Sequence, residues 1–225
     1  MSLILWQQFC SDYAVREIGV PLFNTSENVV KTMPYGPSGR RLLQRSADME
    51  SLVIHEVGKV LHDFKQGENV YEGLIYLMFW QQDHQIIPLY IGKSEKHGKQ
   101  GRNLSANIKN IAGNKAKFCR WGDAYAYHIG DLSAVVCPDH ASERMAPKYK
   151  KWAAKLFESF PSCEPVLKHE IYFWIHAWKT GTIGVWKELG STRLTSLEYQ
   201  LIAIASAAFP EFLLNTDGVN GNEQV

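Results

Sequence analysis

Two tyrosines, Tyr76 and Tyr90, lie in neighbouring apolar segments that have the composition of β-strands. The segments run over 73–80 and 86–92, and the polar stretch QQDHQ between them predicts an antiparallel hairpin. Because side chains alternate along a strand, both phenols can face the same cleft. Phenol hydroxyls in a cleft can handle the protons of a hydrolysis, but aromatic packing across the two strands would also explain the pair.

Polar residues that suit hydrolysis of a phosphodiester follow this hairpin. Lys93 comes directly after the second segment, and Arg102 opens a stretch over 102–111 whose apolar spacing predicts a helix. Glu198 lies near the start of an apolar helix predicted over 195–209, and Asn215 follows that helix. The order along the chain is therefore two phenols, two cations, a carboxylate and an amide.

These residue types match the needs of phosphodiester hydrolysis, which are a base for water and stabilisation of the developing negative charge. Tyr76 suits the base if a nearby cation, for which Lys93 is the candidate, lowers its pKa. Tyr90 would orient the water or the phosphate by hydrogen bonding. Arg102 would hold the phosphoryl oxygens with its planar fork of donors.

Glu198 has two competing interpretations. Thr195 and Glu198 form the pattern T-x-x-E, which is typical of a capping box at a helix start. The predicted helix is apolar on nearly every side, however, so the carboxylate should be partly buried and should need a partner. A hard divalent cation such as Mg²⁺ or Mn²⁺ is a natural one, and we favour the metal role.

The order of these motifs resembles that of the GIY-YIG nuclease superfamily. The chain reads LIY at 74–76 and YIG at 90–92, and the arginine, glutamate and asparagine follow up to residue 215. The resemblance implies an α/β (α+β) fold, with a small central mixed β-sheet flanked by helices, and metal-dependent endonuclease activity on DNA. The catalytic residues that it implies are Tyr76, Tyr90, Arg102, Glu198 and Asn215, with Glu198 as the metal ligand. Lys93 completes the predicted catalytic set as the candidate cation beside Tyr76.

The rest of the chain elaborates this core. Residues 1–70 are expected to be a helical N-terminal extension, with helices over 2–18 and 48–64 and an exposed turn-rich loop between them. The nuclease-like domain covers 71–217, with an insertion at about 121–170, and 218–225 form a polar tail. A third strand is predicted over 124–129, a helix over 145–160 and a further strand over 169–178.

Charge is uneven along the sequence. The 24 Lys and Arg against 23 Asp and Glu give a net charge of +1, which by itself argues against a polyanion-binding protein. Residues 93–120, however, carry +7, so the remainder carries −6. Beside the candidate site this basic segment favours DNA phosphate contacts over a merely solvated face. The predicted DNA contacts are Lys96, Lys99, Asn103, Lys109, Arg40 and Arg41.

Other classes of protein are excluded or disfavoured by composition. No apolar stretch approaches the roughly 18 residues needed to cross a bilayer, and the N-terminus lacks the features of a secretory signal, so a cytoplasmic location is expected. The four cysteines contain no C-x-x-C pair and are expected to be reduced. A zinc site built from Cys137, His140, Cys163 and His169 is a minor alternative, because neither half has a typical spacing.

The biological role is open between several alternatives. Elaborations on both sides of the core, without a recognisable appended DNA-binding module, favour a restriction endonuclease, which would need a homodimer or sequential nicking to cut both strands. Homing, repair and antibacterial nucleases are alternatives, as is a catalytically inactive nucleic-acid-binding module. His97 and His128 are interpreted as structural rather than catalytic histidines.

Overall fold

Helices and a small sheet alternate along the chain in the computed structural model, which describes residues 1–37, 39–83, 85–98 and 101–219. The predicted α+β class with helices flanking a small central sheet is confirmed. Within the described residues no helix is long and apolar enough to cross a membrane. The α-helices are α1 (Ser2–Asp12), α2 (Val15–Ile18), α3 (Ala47–Lys65), α4 (His128–Val136), α5 (Pro147–Leu156) and α6 (Leu194–Ala208).

The strands form one central sheet and two small hairpins. Their bounds are β1 (Val20–Pro21), β2 (Thr25–Ser26), β3 (Val29–Val30), β4 (Thr32–Tyr35), β5 (Arg40–Leu43), β6 (Tyr71–Gln82), β7 (Gln85–Glu95) and β8 (Tyr172–Lys179). The central sheet has the order β1-β8-β6-β7, and β2–β3 and β4–β5 pair separately. Every pairing in the central sheet is antiparallel, so the expected mixture of parallel and antiparallel strands is wrong.

The hairpin that carries the two tyrosines is confirmed and is longer than predicted. Its strands β6 and β7 extend to Gln82 and Gln85, which leaves only positions 83 and 84 between them. Eight consecutive residues of β6, from 73 to 80, are buried, because β6 lies between β7 and β8 and is covered on both faces. Strand β7 is an edge strand, and its outer backbone groups need partners from elsewhere.

The segment between α2 and α3 is not the loop that its turn residues predict. It forms the two hairpins β2–β3 and β4–β5, with turns at residues 27–28 in the first and around Gly36 and Gly39 in the second. Strand β1 joins the central sheet beside β8, so residues 1–70 are not purely helical. Apolar Leu42 and Leu43 are buried and hold the second hairpin against the body of the protein.

The helix predicted over 102–111 is wrong, because this stretch forms consecutive turns. The Asn114 side chain donates to the backbone oxygens of Ala106 and Lys109, and Asn110 adopts a left-handed conformation with φ 54°. Local side-chain hydrogen bonds of this kind compete with helix formation. The apolar spacing still reports burial correctly, since Ile108 and Ile111 are both buried.

The strand predicted over 124–129 is also wrong. Ala126 has φ 69°, and its N–H donates to the Asp131 carboxylate at 2.8 Å, so the backbone turns into α4 at this point. The alternation of small and aromatic residues comes from packing in a turn and not from a pleated strand. The other predicted elements are confirmed as α1 and α2, α3, α5, β8 and α6, with shifts at their ends.

Candidate active site

Tyr76 lies in the centre of the sheet, opposite Gly92 of the YIG motif. Only 2% of its surface is exposed, and its ring stacks on Phe173 with the centroids 6.2 Å apart. Burial raises the pKa of Tyr76 well above its ordinary value, and the nearby Tyr90 adds to the rise. The expected lowering of this pKa by Lys93 is therefore wrong, because desolvation outweighs every cation near the phenol.

Tyr90 shares a face of the hairpin with Tyr76, as predicted, and their ring centroids are 6.4 Å apart. Tyr90 is partly exposed and lines a cavity of about 130 Å³. Tyr76 does not line this cavity in the part of the chain that the structure describes. The pKa of Tyr90 is raised to about 12, chiefly by burial and by the charges of Glu198 and Asp217, with Arg120 opposing the rise. Tyr90 is therefore a neutral hydrogen-bonding group that faces the cavity.

Glu198 lines the same cavity and does not form the capping box that the T-x-x-E pattern offers. Helix α6 begins at Leu194, whose N–H donates to Glu72 at 2.9 Å, so another carboxylate satisfies the helix start. The Thr195 hydroxyl is directed to Glu95 instead of capping the helix. The capping alternative for Glu198 is thus removed, and its carboxylate is left facing the cavity.

The carboxylate of Glu198 is partly desolvated and lies near Lys93. Burial raises the pKa of Glu198, and Glu95 adds to the rise. Lys93 opposes it, both through its ammonium charge and through its backbone N–H. The Lys93 ammonium also forms an ion pair with Glu95. Lys93 thus acts on the carboxylate of the site and not on the phenol of Tyr76.

Asn215 also lines the cavity, but its amide is occupied by the sheet edge. The side-chain oxygen accepts the N–H of Ile91 at 3.0 Å, and the side-chain nitrogen donates to the carbonyl of Ile91 at 2.8 Å. Leu214 continues this pairing through its N–H to the carbonyl of Leu89. Asn215 therefore supplies the donor and the acceptor that a neighbouring strand would offer to the backbone of β7, and it fixes the cavity wall.

The arginine that acts on the tyrosines is Arg120 and not Arg102. Arg102 is exposed in a turn, and its charge is not among those that shift the pKa of either tyrosine. Arg120 lowers the pKa of both phenols, in opposition to their burial. Residues 118–120 have positive φ values of 31°, 51° and 74°. Non-glycine residues rarely adopt this left-handed conformation, and no sequence pattern predicts it here.

Lys148 is a second cation at the site that sequence reasoning missed. It lines the cavity, and its ammonium lies 4.7 Å from the centroid of the Tyr90 ring. Burial lowers the pKa of Lys148, and Arg120 lowers it further. The helix predicted over 145–160 carries several lysines in the sequence, and nothing in the pattern singles out this one. The ammonium therefore places positive charge in the cavity, beside the Tyr90 phenol.

A layer of buried rings supports Tyr90 from behind. The rings of Trp152, His128 and Trp121 lie 4.8, 5.1 and 6.5 Å from that of Tyr90. His128 bonds the Tyr149 hydroxyl at 2.9 Å through Nδ1, and burial lowers its pKa well below the usual value. His128 is therefore a neutral packing residue, in agreement with its structural interpretation.

The donor set of the cavity fits a divalent cation that keeps most of its water. Glu198 and Asp217 both line the cavity and supply carboxylate oxygens. The described residues contain no group of three or more His, Cys, Asp or Glu side chains arranged for a metal, and the four cysteines are free. Mg²⁺ commonly binds through one or two carboxylates together with substrate phosphates, and this site offers that mode.

The predicted DNA contacts divide into separate groups. The prediction for Lys96 is wrong, because it is 2% exposed and its ammonium forms an ion pair with Asp63 at 2.7 Å. Asn103 and Lys109 are exposed, and Lys109 lines a small surface cavity. Lys99 lies outside the described residues. Arg40 and Arg41 belong to β5; Arg41 is exposed and donates to the hydroxyl of Thr32 at 2.7 Å.

Comparison with known proteins identified no relative of this chain. No protein-family model, curated protein or solved structure matches the chain. The chemistry of the cavity and the order of the motifs are therefore the grounds for assigning a function.

Proposed function

We propose that this protein is a metal-dependent endonuclease of the GIY-YIG type that hydrolyses phosphodiester bonds in DNA. The observation that carries the proposal is that Tyr90, Glu198 and Lys148 line one cavity, although they come from β7, α6 and α5. A phenol, a carboxylate and an ammonium in one cavity can together contact a phosphate and a divalent cation.

The roles follow from the environment of each side chain. Glu198 and Asp217 would hold Mg²⁺ or Mn²⁺, which when bound supplies a Lewis acid for the phosphoryl oxygens. Tyr90 stays protonated at neutral pH because its pKa is raised to about 12, and it donates a hydrogen bond to the phosphate or to the attacking water. Arg120 and Lys148 offset the negative charge that develops during attack.

Tyr76 takes a positioning role in this scheme. Its ring contacts the layer that holds Tyr90, and its raised pKa disfavours the ionised form that a base would need. Asn215 has a positioning role too, since both polar atoms of its amide bind the backbone of Ile91. The groups that meet substrate directly are thus Tyr90, Glu198 and the two cations.

The biological setting that we propose is restriction of foreign DNA. It is favoured by the extra elements around the core, namely the hairpin β4–β5 and the helices α4 and α5, with the hairpin bonded to α4. A restriction enzyme should cut at defined sequences and should act as a homodimer or by sequential nicking. Cleavage at random sites would instead favour an effector, and cleavage confined to damaged or branched DNA a repair nuclease.

A catalytically inactive nucleic-acid-binding module is the second candidate. It is favoured by the burial of Tyr76 and by the exposed position of Arg102, two residues that the motif order places in the active site. In that case the cavity would bind a phosphate without hydrolysing the ester. Binding without cleavage across many DNA sequences is the behaviour that this candidate predicts.

Cleavage of DNA by the purified full chain tests the proposal. Supercoiled and linear DNA of varied sequence is incubated with Mg²⁺, with Mn²⁺ and with a chelator, and the products are separated on gels. We expect metal-dependent nicks or double-strand cuts that disappear in Glu198→Gln. Cleavage that survives both the chelator and Glu198→Gln would come from another site or from a contaminant, and binding without any cleavage would support the inactive module.

A further inference from the structure

Four cations, one of which lines the cavity, rest on aromatic rings instead of on carboxylates. In the described ranges none of the four has an acidic oxygen within the 4.0 Å that defines an ion pair. Arg40 lies 4.1 Å from the ring centroid of Tyr125, and Arg144 lies 4.7 Å from the same ring. Arg120 lies 5.5 Å from the ring of Tyr127, and Lys148 lies over Tyr90.

This arrangement keeps the cations available to an external anion. A guanidinium stacked on a ring is held in place by the ring face, while its N–H donors point outward in its own plane. Three lysines of the basic segment 93–120 differ in this respect. Lys93, Lys96 and Lys115 form ion pairs with Glu95, Asp63 and Glu50, respectively, so much of the local charge predicted to bind DNA is already neutralised.

The four cations form a continuous series that ends at the cavity. Tyr125 lies between Arg40 and Arg144 and so joins the first two. The start of α4 joins Arg120 to Lys148: Arg120 lies over Tyr127, whose carbonyl accepts the N–H of Asp131 at 2.9 Å, and Lys148 lies 5.6 Å from the ring of Tyr149, whose hydroxyl bonds His128. The Asp131 carboxylate at this helix start is acted on by Arg144, Arg120 and Lys148 together. Lys148 lines the cavity itself. We call this series, Arg40, Arg144, Arg120 and Lys148, the cation track.

The start of the track is set by the hairpin β4–β5. The N–H of Leu43 donates to the Ser133 hydroxyl at 2.9 Å, and Nε2 of His140 lies 2.8 Å from the carbonyl of Arg41. These contacts fix the base of the hairpin on α4 and on the turn that follows it. Arg40, one residue from the anchored segment, is therefore held over Tyr125 and is not a freely moving surface arginine.

Carboxylates near the track do not neutralise it by contact. The Asp131 carboxylate accepts the N–H of Ala126, and Glu143 accepts the hydroxyl of Ser142. Asp217 lies at the cavity, where the proposed divalent cation would bind. A series of cations without carboxylate contacts suits a ligand that carries several negative charges.

We infer that the cation track binds the phosphate backbone of duplex DNA and leads one strand from the hairpin β4–β5 to the cavity at Tyr90. The inference rests on the proposed function for its choice of DNA, but it concerns binding and does not require cleavage. Each track cation would form charge-assisted hydrogen bonds to successive phosphates, which position the duplex and carry little sequence information.

Binding measurements with the full chain test the track separately from cleavage. All variants are built on Glu198→Gln, and fluorescence anisotropy follows binding of a labelled duplex of about 30 base pairs at several salt concentrations. Arg144→Ala and Arg40→Ala should each weaken binding about tenfold, as expected for one lost charge-assisted hydrogen bond. The slope of log K against log salt should become shallower by about 0.9 for each lost phosphate contact.

The matched control is Lys179→Ala. Lys179 also lies over a tyrosine, at 5.9 Å from the ring centroid of Tyr71, but it belongs to the end of β8 and not to the track. Binding should be unchanged in this variant. Circular dichroism and thermal unfolding confirm that Arg144→Ala, whose side chain is exposed, remains folded.

The outcomes separate the track from the proposed function. If DNA is bound and cleaved while the track variants bind like their parent, the track is overturned and the function stands. If the parent binds no DNA, both are overturned. Weaker binding in the track variants and in Lys179→Ala alike would mean diffuse electrostatics and would also overturn the track, and tighter binding of duplex RNA than of DNA would overturn the choice of ligand.

Discussion

The ring of Tyr76 lies directly on the backbone of Gly92. A Cβ at residue 92 would lie 2.6 Å from Cε2 of Tyr76 and 2.7 Å from its hydroxyl oxygen, closer than real Cβ contacts come. The two residues are register partners in β6 and β7. The last residue of YIG is thus a glycine because the tyrosine of LIY occupies the space of its side chain, and the two motifs are parts of one packing unit.

Gly92→Ala should lower the free energy of unfolding by about 1–3 kcal/mol, because the added methyl overlaps the Tyr76 ring. Chemical denaturation measures this loss. The double variant Gly92→Ala with Tyr76→Leu should lose less stability than the sum of the two single variants, since the leucine side chain does not reach the position of the added methyl. Gly58→Ala in α3 is the control: its Cβ would meet nothing within 4 Å, so it should raise stability by about 0.5–1 kcal/mol. Additive losses at Gly92 and Tyr76 would contradict the overlap.

Tyr90→Phe should reduce the cleavage rate by about 10² to 10³ with little change in DNA affinity, because the hydroxyl faces the cavity and donates in the transition state. Single-turnover kinetics separate this loss from binding. Tyr76→Phe should have a much smaller effect on the rate, since the Tyr76 phenol is buried and its ionised form is disfavoured. A larger loss in Tyr76→Phe than in Tyr90→Phe would reverse the two assignments.

Glu198→Gln should raise stability near neutral pH while it abolishes cleavage. The pKa of Glu198 is raised in the folded protein from the ordinary 4.5, mainly by burial, so folding disfavours the charged carboxylate. Below pH 4.5 the group is protonated in the folded and the unfolded protein and does not lower the free energy of unfolding. As the pH rises through the folded pKa, ionisation of the partly buried carboxylate lowers that free energy. The gain from Gln should therefore appear at neutral pH and vanish in acid. Unfolding midpoints that differ equally at both pH values would refute the raised pKa.

Asn215→Ala should lower stability by about 1–3 kcal/mol, because the N–H and carbonyl of Ile91 both lose a partner. Hydrogen exchange should show faster exchange at the N–H of Ile91 in the variant. Asn215→Asp keeps the acceptor for that N–H but directs an oxygen at the carbonyl, so it should be destabilised as well. Loss of cleavage with unchanged stability and exchange would instead make Asn215 a direct substrate contact.

Asp63→Asn should destabilise the fold by about 3–5 kcal/mol, because it leaves the buried ammonium of Lys96 without its counter-charge. Burial favours a higher pKa for Asp63, but hydrogen bonds from Lys96 and from the backbone of Tyr71 and Val70 outweigh it and lower the pKa below the ordinary 3.8. The stability from this pair is present above pH 3.8 and is lost as the pH falls through the lower folded pKa. Urea unfolding of both proteins across this range checks the prediction, and a pH-independent difference would contradict it.

Local patterns were sufficient for the hairpin and for most helices. The apolar runs over 73–80 and 86–92, the two-residue period of side chains along a strand and the helical spacing in α3 and α6 depend only on neighbouring residues, so they are visible in the sequence. The shared face of Tyr76 and Tyr90 follows from the same periodicity. The apolar spacing in 102–111 predicted the burial of Ile108 and Ile111 correctly but not the conformation, because the Asn114 side chain bonds to the backbone of Ala106 and Lys109.

The sequence by itself determined the α+β class, the hairpin, and the presence of phenols, cations and a carboxylate suited to phosphate chemistry. Only the tertiary structure decided which of them meet. Arg102 and Arg120 both follow YIG in a basic segment, but a left-handed turn brings Arg120 to the tyrosines and leaves Arg102 in solvent. Lys148 reaches Tyr90 across 58 positions of the chain. Such pairings depend on long-range packing, since desolvation and charge act through space and not along the sequence.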